Sequence, residues 1–574
     1  EKERSFRYVN LDEILADIQK RQAPGLRREY LGALARERKG LLAGLGLLLV
    51  AGISLVVLFQ RGILSLGRGT GPVALGEVTS VAVLPFQNLT GDPKSDWLRG
   101  GLANLLTTDL AQARGIRVVS SARLAQILND LHLADLKGFD AGTLTKVAEF
   151  LDAQMVLTGT FTSVGETLRV DAEVFRIQGQ EAVQGANFKV TAQGEKEFLG
   201  LVDTLARQVR ESMGATPAQI QEERPKDLQQ VISASVPAVR EYTSAVEQLH
   251  RGGYLEAVEG FKRAIALDPG FTLAQARLGE AYQALGREPE ALASLDTAAG
   301  HLERASERET FVIKALQASL KHDATSAIRN YEELVKLYPN DPESYFSLAS
   351  TYDQADDYEK AVVNYQKAIQ GHDKYAAAYY GLGPAQFRLG KFDDALKSFN
   401  TAVGLQDQTK NEEGKATALN GLGAVYYQMG RDDEAIQYYR QSAEIKKRIG
   451  DLKGYANSLS NIAQAYRRSG KFDDAIRAAR ESIENNRSIG DRAGECMHLE
   501  SLGSIYLDAG RFGDSLKAHQ DSLRIAREIG DEPVIAANLG NIGSVYSAQG
   551  RYADAEVYYQ QALEKRRAIG DKDG

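Results

Sequence analysis

The chain has 574 residues, 25% charged and 43% hydrophobic, with a net charge of −8. That length exceeds one core and suggests three or four units at about 150 residues each. The acidic balance argues against nucleic acid as the main partner, because phosphate recognition needs a basic face, and the single cysteine, Cys496, excludes an intrachain disulfide.

In chain order, Glu1–Gln19 predicts an amphipathic helix capped by Asn10, with Leu11, Ile14, Leu15 and Ile18 on one face. One such stripe needs a partner surface that these residues do not supply. A basic segment, 21–40, follows. Leu41–Phe59 is a run without charge, long enough as a helix to cross a bilayer. Lys20, Arg21, Arg27, Arg28, Arg36, Arg38 and Lys39 precede it and only Arg61 and Arg68 lie just beyond. The positive-inside rule then predicts a single-pass inner- or plasma-membrane protein with a cytoplasmic N-terminus and everything after residue 60 extracytoplasmic. Gly44, Gly46 and Gly52 would allow close helix packing and hence a homodimer. Residues 60–78 read as a linker. The glycines at 67, 69 and 71 precede Pro72 rather than a helix, which makes a spacer and not a phosphate loop.

From 79 to 213 the pattern is α/β. Ser80–Phe86 and Ile116–Ser120 read as strands, with helices at about Asp96–Ala113, after a cap at Ser121, at Leu144–Leu151 and at Glu197–Met213. Gln154–Ile177 alternates in period two around Gly165-Glu166, a hairpin signal, and Phe188–Val190 adds a short strand. Asp92, Asp96 and Asp109 read as caps and solvated helix faces rather than ligand groups. This order, VAVLPF, then G-x-R-V-V, then V-L-x-G-x-F and a hairpin carrying L-R-V, resembles the amino-terminal domain of TolB-type proteins. The resemblance implies a small α/β fold without a catalytic site. Similar domains precede helical repeats in bacterial adenylate cyclases, CadC-type regulators and receptor kinases. Glu1–Gln19 in turn resembles the last helix of bacterial serine/threonine protein kinases, with Arg7 matching the arginine that pairs with a buried glutamate. No H-R-D, D-F-G or glycine-rich loop accompanies it.

After a linker, 214–236, residues 237–574 read as about nine helical hairpins. From 415 the period is 40: Gly430, Gly470, Gly510 and Gly550 close the first helices, Tyr426, Tyr466, Tyr506 and Tyr546 precede them by four, and Ala435, Ala475, Ser515 and Ala555 are the small residues of the second helices. Upstream copies are irregular. Glu309–Asp341 lacks the inter-helix glycine, and Pro384 falls inside a first helix, which should kink it or leave a carbonyl unpaired. The pattern is tetratricopeptide-type and resembles the long-repeat arrays of kinesin light chains. Such arrays bind proteins or peptides in a concave groove lined by first helices. The groove positions free of stacking constraints include Tyr427, Asn461, Gln464, Arg467, Arg468, Asn541 and Ser544, with Asn461 and Asn541 at one repeat position. The runs Lys446–Arg448 and Lys565–Arg567 end helices, where cations favour the dipole. Cys496 and His498 face different ways on one helix, and neither a metal site, a cofactor site nor a catalytic motif is expected.

The expected fold is multidomain: a transmembrane helix, a small α/β domain, then an all-α superhelix. The expected function is that of a membrane-anchored protein-binding scaffold or sensor, the downstream part of a receptor serine/threonine kinase. The alternatives are a stand-alone membrane-anchored scaffold and the sensor part of a CadC-like regulator or adenylate cyclase. A start inside a kinase-like helix and a stop at Gly574, where another first helix is due, predict a fragment at both ends.

Overall fold

A computed structural model describes residues 79–223 and 225–570. The kinase-like helix at 1–20, the basic segment 21–40, the apolar run 41–59, the linker 60–78 and the last four residues lie outside them. The single-pass placement is corrected. No helix among the described residues is long and apolar enough to cross a membrane. The longest, Phe392–Thr409 and Phe512–Ile529, have 18 residues each and carry charges along their length. The segment 41–59 on which the topology rested is not among the described residues.

The N-terminal unit is one sheet between two helical layers. β1 (Thr79–Val83) lies parallel between β3 (Ile116–Val118) and β4 (Met155–Val164); β5 (Thr167–Gln178) and β6 (Glu181–Gln193) extend the sheet antiparallel, and β2 (Gln87–Asn88) pairs with the end of β4. Period-two alternation divides the faces. Val81, Val83, Met155 and Leu157 pack on α1 (Trp97–Leu110) and α4 (Phe198–Ser212). Ala82, Leu84 and Val156 pack on α2 (Ser121–Asp130) and α3 (Ala141–Leu151). The Gly165-Glu166 turn joins β4 to β5 with Val164 opposite Thr167, and Gly165 has φ 61°. A β-carbon on Gly159 would lie 2.3 Å from the Asp171 carbonyl and 2.8 Å from the Phe86 ring, so the strand must carry glycine there.

Three local readings are corrected. Ser120, not Ser121, caps α2, accepting from the Arg123 amide. β6 has 13 residues, far more than Phe188–Val190. Asp109 is not on a solvated face: it is buried against Arg210 of α4, and desolvation holds its carboxyl above the usual carboxylate range despite that guanidinium. Asp92 does act as a cap, accepting from the Lys94 amide, and Asp96 accepts from Asn88 at 2.7 Å.

The rest is helical. Repeat 1 pairs Val236–His250 with Tyr254–Leu267, repeat 2 Thr272–Ala284 with Glu288–Ala299, and repeat 3 Glu307–Leu320 with Ala324–Leu337. Repeat 4 pairs Pro342–Gln354 with Tyr358–Gly371 and repeat 5 Ala376–Arg388 with Phe392–Thr409. Repeats 6 to 9 start at Glu412, Leu452, Arg492 and Glu532, and their second helices end at Arg448, Ser488, Ile529 and Ala568. Every hairpin turns through one left-handed residue. It is glycine at 252, 286, 390, 430, 470, 510 and 550, but His322 (φ 56°) in repeat 3 and Asp356 (φ 58°) in repeat 4. The I-G-D sequence between the long repeats has a parallel cause. Gly450, Gly490 and Gly530 take positive φ, and the Asp451, Asp491 and Asp531 side chains cap the next helix by accepting from the amides of Gly454, Gly494 and Val534. The tyrosine four residues before the turn is a platform for the arginine after it: Arg431, Arg511 and Arg551 lie 4.7, 4.8 and 4.4 Å from the rings of Tyr426, Tyr506 and Tyr546.

Candidate protein-binding groove

First helices of successive repeats approach one another more closely than second helices do, so they line the inner side of the curve. Asn461 and Asn541 stand nine residues before the left-handed glycine of their repeats, and Gln464 and Ser544 six before it. A helix returns these positions to one face, and stacking the repeats aligns them into rows across the groove.

The rows are bonded to each other. Asn461 donates to Asn420 of repeat 6 at 3.1 Å, and Asn541 donates to Glu500 of repeat 8 at 3.0 Å. Gln464 donates to the Ser501 hydroxyl. Arg467 pairs with Asp508 at 2.5 Å, and its guanidinium also reaches Gln464 at 3.4 Å. Arg468 lies 3.6 Å over the Tyr427 ring, and its Nε donates to Asp432 at 2.8 Å. Ser544 donates to the Gly540 carbonyl and accepts from Tyr559 at 3.2 Å. The structure thus brings Tyr427, Asn461, Gln464, Arg467 and Arg468 into one patch over repeats 6 to 8. Asn541 and Ser544 lie apart from it, beyond the first helix of repeat 8. Burial holds the Glu500 carboxyl above the usual carboxylate range, against a smaller opposite pull from Asn541.

Asn420, Asp432, Glu500, Ser501 and Asp508 complete these contacts and were absent from the sequence reading. The signal was available in the spacing: Asn420 to Asn461, Tyr427 to Arg468, Arg467 to Asp508 and Glu500 to Asn541 are each 41 apart, one more than the period. That spacing joins adjacent first helices on the inner face. Both arginines are answered by aspartates, so the patch is polar with little net charge.

Other residues singled out by sequence do structural work. The Cys496 thiol contacts Ser522, while His498 meets Asn486 at 2.8 Å and Ser482. The two are buried with different partners, and no metal-holding cluster of His, Cys, Asp or Glu occurs among the described residues. Lys565 pairs with Glu532 at 2.7 Å and Arg448 with Glu412, which ties the basic helix ends to neighbouring first helices.

The family model described as Tetratricopeptide repeat matches residues 414–488 and 495–568, and that of Anaphase-promoting complex, cyclosome, subunit 3 matches 321–402. "Putative adenylate cyclase 3" of Rhizobium meliloti (strain 1021) is 23% identical over 209 residues, 36% of this chain and 33% of that protein. The small glutamine-rich tetratricopeptide repeat-containing protein 2 of Saccharomyces cerevisiae is 25% identical over 113 residues, 20% of this chain and 33% of that protein. The chain therefore spans about a third of the length of these relatives. Among solved structures, that of the MamA protein aligns over 32% of this chain and 94% of its own, at 27% identity and a TM-score of 0.28. The chain carries tetratricopeptide repeats: it is mostly helical, with a tetratricopeptide-like superhelix and a small sheet unit on its N-terminal side.

Proposed function

We propose that the chain is a protein-binding scaffold whose groove over repeats 6 to 9 takes an extended, largely uncharged peptide segment. The observation that supports this most is the pair of Asn461 and Gln464 amides beside arginines already neutralised by Asp432 and Asp508, with the Asn541 amide further along the inner face. A primary amide both donates and accepts, which suits the alternating groups of a peptide backbone and favours neither a phosphate nor an acidic tail. Met497, 53% exposed on the first helix of repeat 8, offers an apolar contact alongside. Selection of peptides from a random display library against the full chain tests this. Retained peptides should be uncharged in their core and lose about tenfold or more in affinity to the Asn461→Asp/Asn541→Asp double variant. Retention of acidic peptides, or binding indifferent to both substitutions, would contradict it.

A second reading joins the array to an enzyme of phosphate signalling. It draws support from the adenylate cyclase relative, matched over only part of its length, and from the kinase-like pattern at Glu1–Gln19. In that reading the groove selects the partner and a separate domain does the chemistry. The reading frame upstream of Glu1 decides it: neither kinase nor cyclase motifs there would end it.

A further inference from the structure

The groove has two halves in different states. In repeats 1 to 4 residues at the positions equivalent to Asn461 and Gln464 face the N-terminal unit across a pocket. Arg277, Glu280, Leu316 and Ser347 form the floor of a pocket of about 340 Å³, partly open to solvent. Its roof comes from the N-terminal unit: Thr107 and Thr108 of α1, and Ser121 at the start of α2. Ser347 of repeat 4 and Ser501 of repeat 8 hold the same repeat position, nine residues before the left-handed turn. One lies under the roof. The other bonds to Gln464 in the downstream patch.

The two units are joined in two ways. At repeats 1 and 2 the seam is apolar: Leu102 and Leu205 share one buried core with Val239 and Phe261. From repeat 3 onward it is polar. Arg114 pairs with Glu307 at 2.6 Å, Lys374 with Glu149 at 2.5 Å, and Asn411, the cap of repeat 6, donates to Asp130 at 3.2 Å. At the centre of this polar edge Arg123 of α2 is 9% exposed, its guanidinium 5.1 Å from the Tyr375 ring, with Glu343 and Asp130 acting on its charge. An apolar seam at one end and a polar seam along the other resemble a hinge and a clasp.

We propose that the α/β unit is the built-in occupant of the upstream half of the groove, closing it to other proteins, and that Arg123 holds the closure. Partners are thereby directed to repeats 6 to 9. The inference rests on the groove being a partner surface for its biological sense, but the closure can be measured without any partner.

The experiment uses the full chain with Cys496→Ala, a residue that the equivalent positions Ala416, Ala456 and Ala536 already accept. Ser347→Cys and Ser501→Cys are compared for reaction with a polyethylene glycol maleimide too large to enter the cavity. The closed structure requires the Ser347→Cys thiol to react about tenfold or more slowly, because access needs local opening. Adding Arg123→Glu, which sets a carboxylate against Glu343 and Asp130, should bring its rate to that of Ser501→Cys and leave the latter unchanged. Equal rates before that change overturn the closure, and a slow Ser347→Cys rate that Arg123→Glu does not raise overturns the role of Arg123. If Arg123→Glu quickens both thiols, the fold has loosened generally. The surface variant Lys374→Glu, set against Glu149, then takes its place: a selective rise at Ser347→Cys supports the clasp, and no rise refutes it. Failure of the peptide selection would touch none of these rates.

Discussion

In repeat 8 a β-carbon on Gly503 would fall 2.6 Å from the His519 ring, and in repeat 6 one on Gly423 would fall 2.6 Å from Tyr439. Repeat 7 has alanine at both places, Ala463 and Ala479, each buried. The two positions thus share one volume, filled either by a ring or by two methyl groups. Gly503→Ala should therefore destabilise by about 1–2 kcal/mol in denaturant unfolding, overpacking outweighing the gain in helix propensity. Joining it to His519→Ala should recover part of that loss. His519 is 1% exposed with neither ring nitrogen hydrogen-bonded, and burial pushes its pKa from 6.5 down to about 4. The unfolded ring takes a proton near pH 6.5 and the folded ring only near pH 4, so between these values protons favour the unfolded chain. Its contribution is full above pH 6.5 and lost as pH falls toward 4, on the order of 3 kcal/mol. His519→Tyr, the residue found at the equivalent Tyr439 and Tyr559, should flatten the stability profile in that window relative to the parent chain. An unchanged slope would show that the ring is hydrated. The turn glycines were legible because they recur with the period. The Gly503–His519 pairing was not, since it joins two helices whose contact only the packed hairpin defines.

Elements were read well where their pattern repeats and poorly where local chemistry replaces it. β6 was underread because it is the edge strand: Ala186, Phe188, Val190 and Ala192 alternate with exposed residues, but only Val190 and Ala192 are buried, and the first half, around Gly185, is largely exposed. Repeat 3 looked deficient for want of a glycine, yet His322 adopts the left-handed turn itself. Such a conformation strains a side chain that has a β-carbon, so His322→Gly should raise stability by about 1 kcal/mol or less. A loss would show that the imidazole makes a compensating contact. Pro384 neither ends nor splits its helix, which runs from Ala376 to Arg388. It holds the groove position six residues before Gly390, on the inner face where a carbonyl without its helical donor can meet water. The inner-face positions could be placed from the period, whereas their partners 41 residues away were missed because the offset of one beyond the period is set by the superhelix.

At the scale of the molecule the sheet unit and the first two repeats share one apolar core, whereas repeats 6 to 9 have their own. Neighbour-only packing makes stability local along such an array. Leu205→Ala, a cavity in the shared core, should cost about 2–5 kcal/mol and lower hydrogen-exchange protection in Val236–Leu267 while leaving Arg492–Ala568 unaffected. Uniform loss along the chain would mean a single cooperative unit. Under the proposed function, proteins bind in the downstream groove. Hydrogen exchange of the full chain with a selected peptide bound tests it most directly. Protection should rise in the first helices Leu452–Arg468, Arg492–Asp508 and Glu532–Ala548. Protection confined to the second helices, or to the sheet unit, would contradict it.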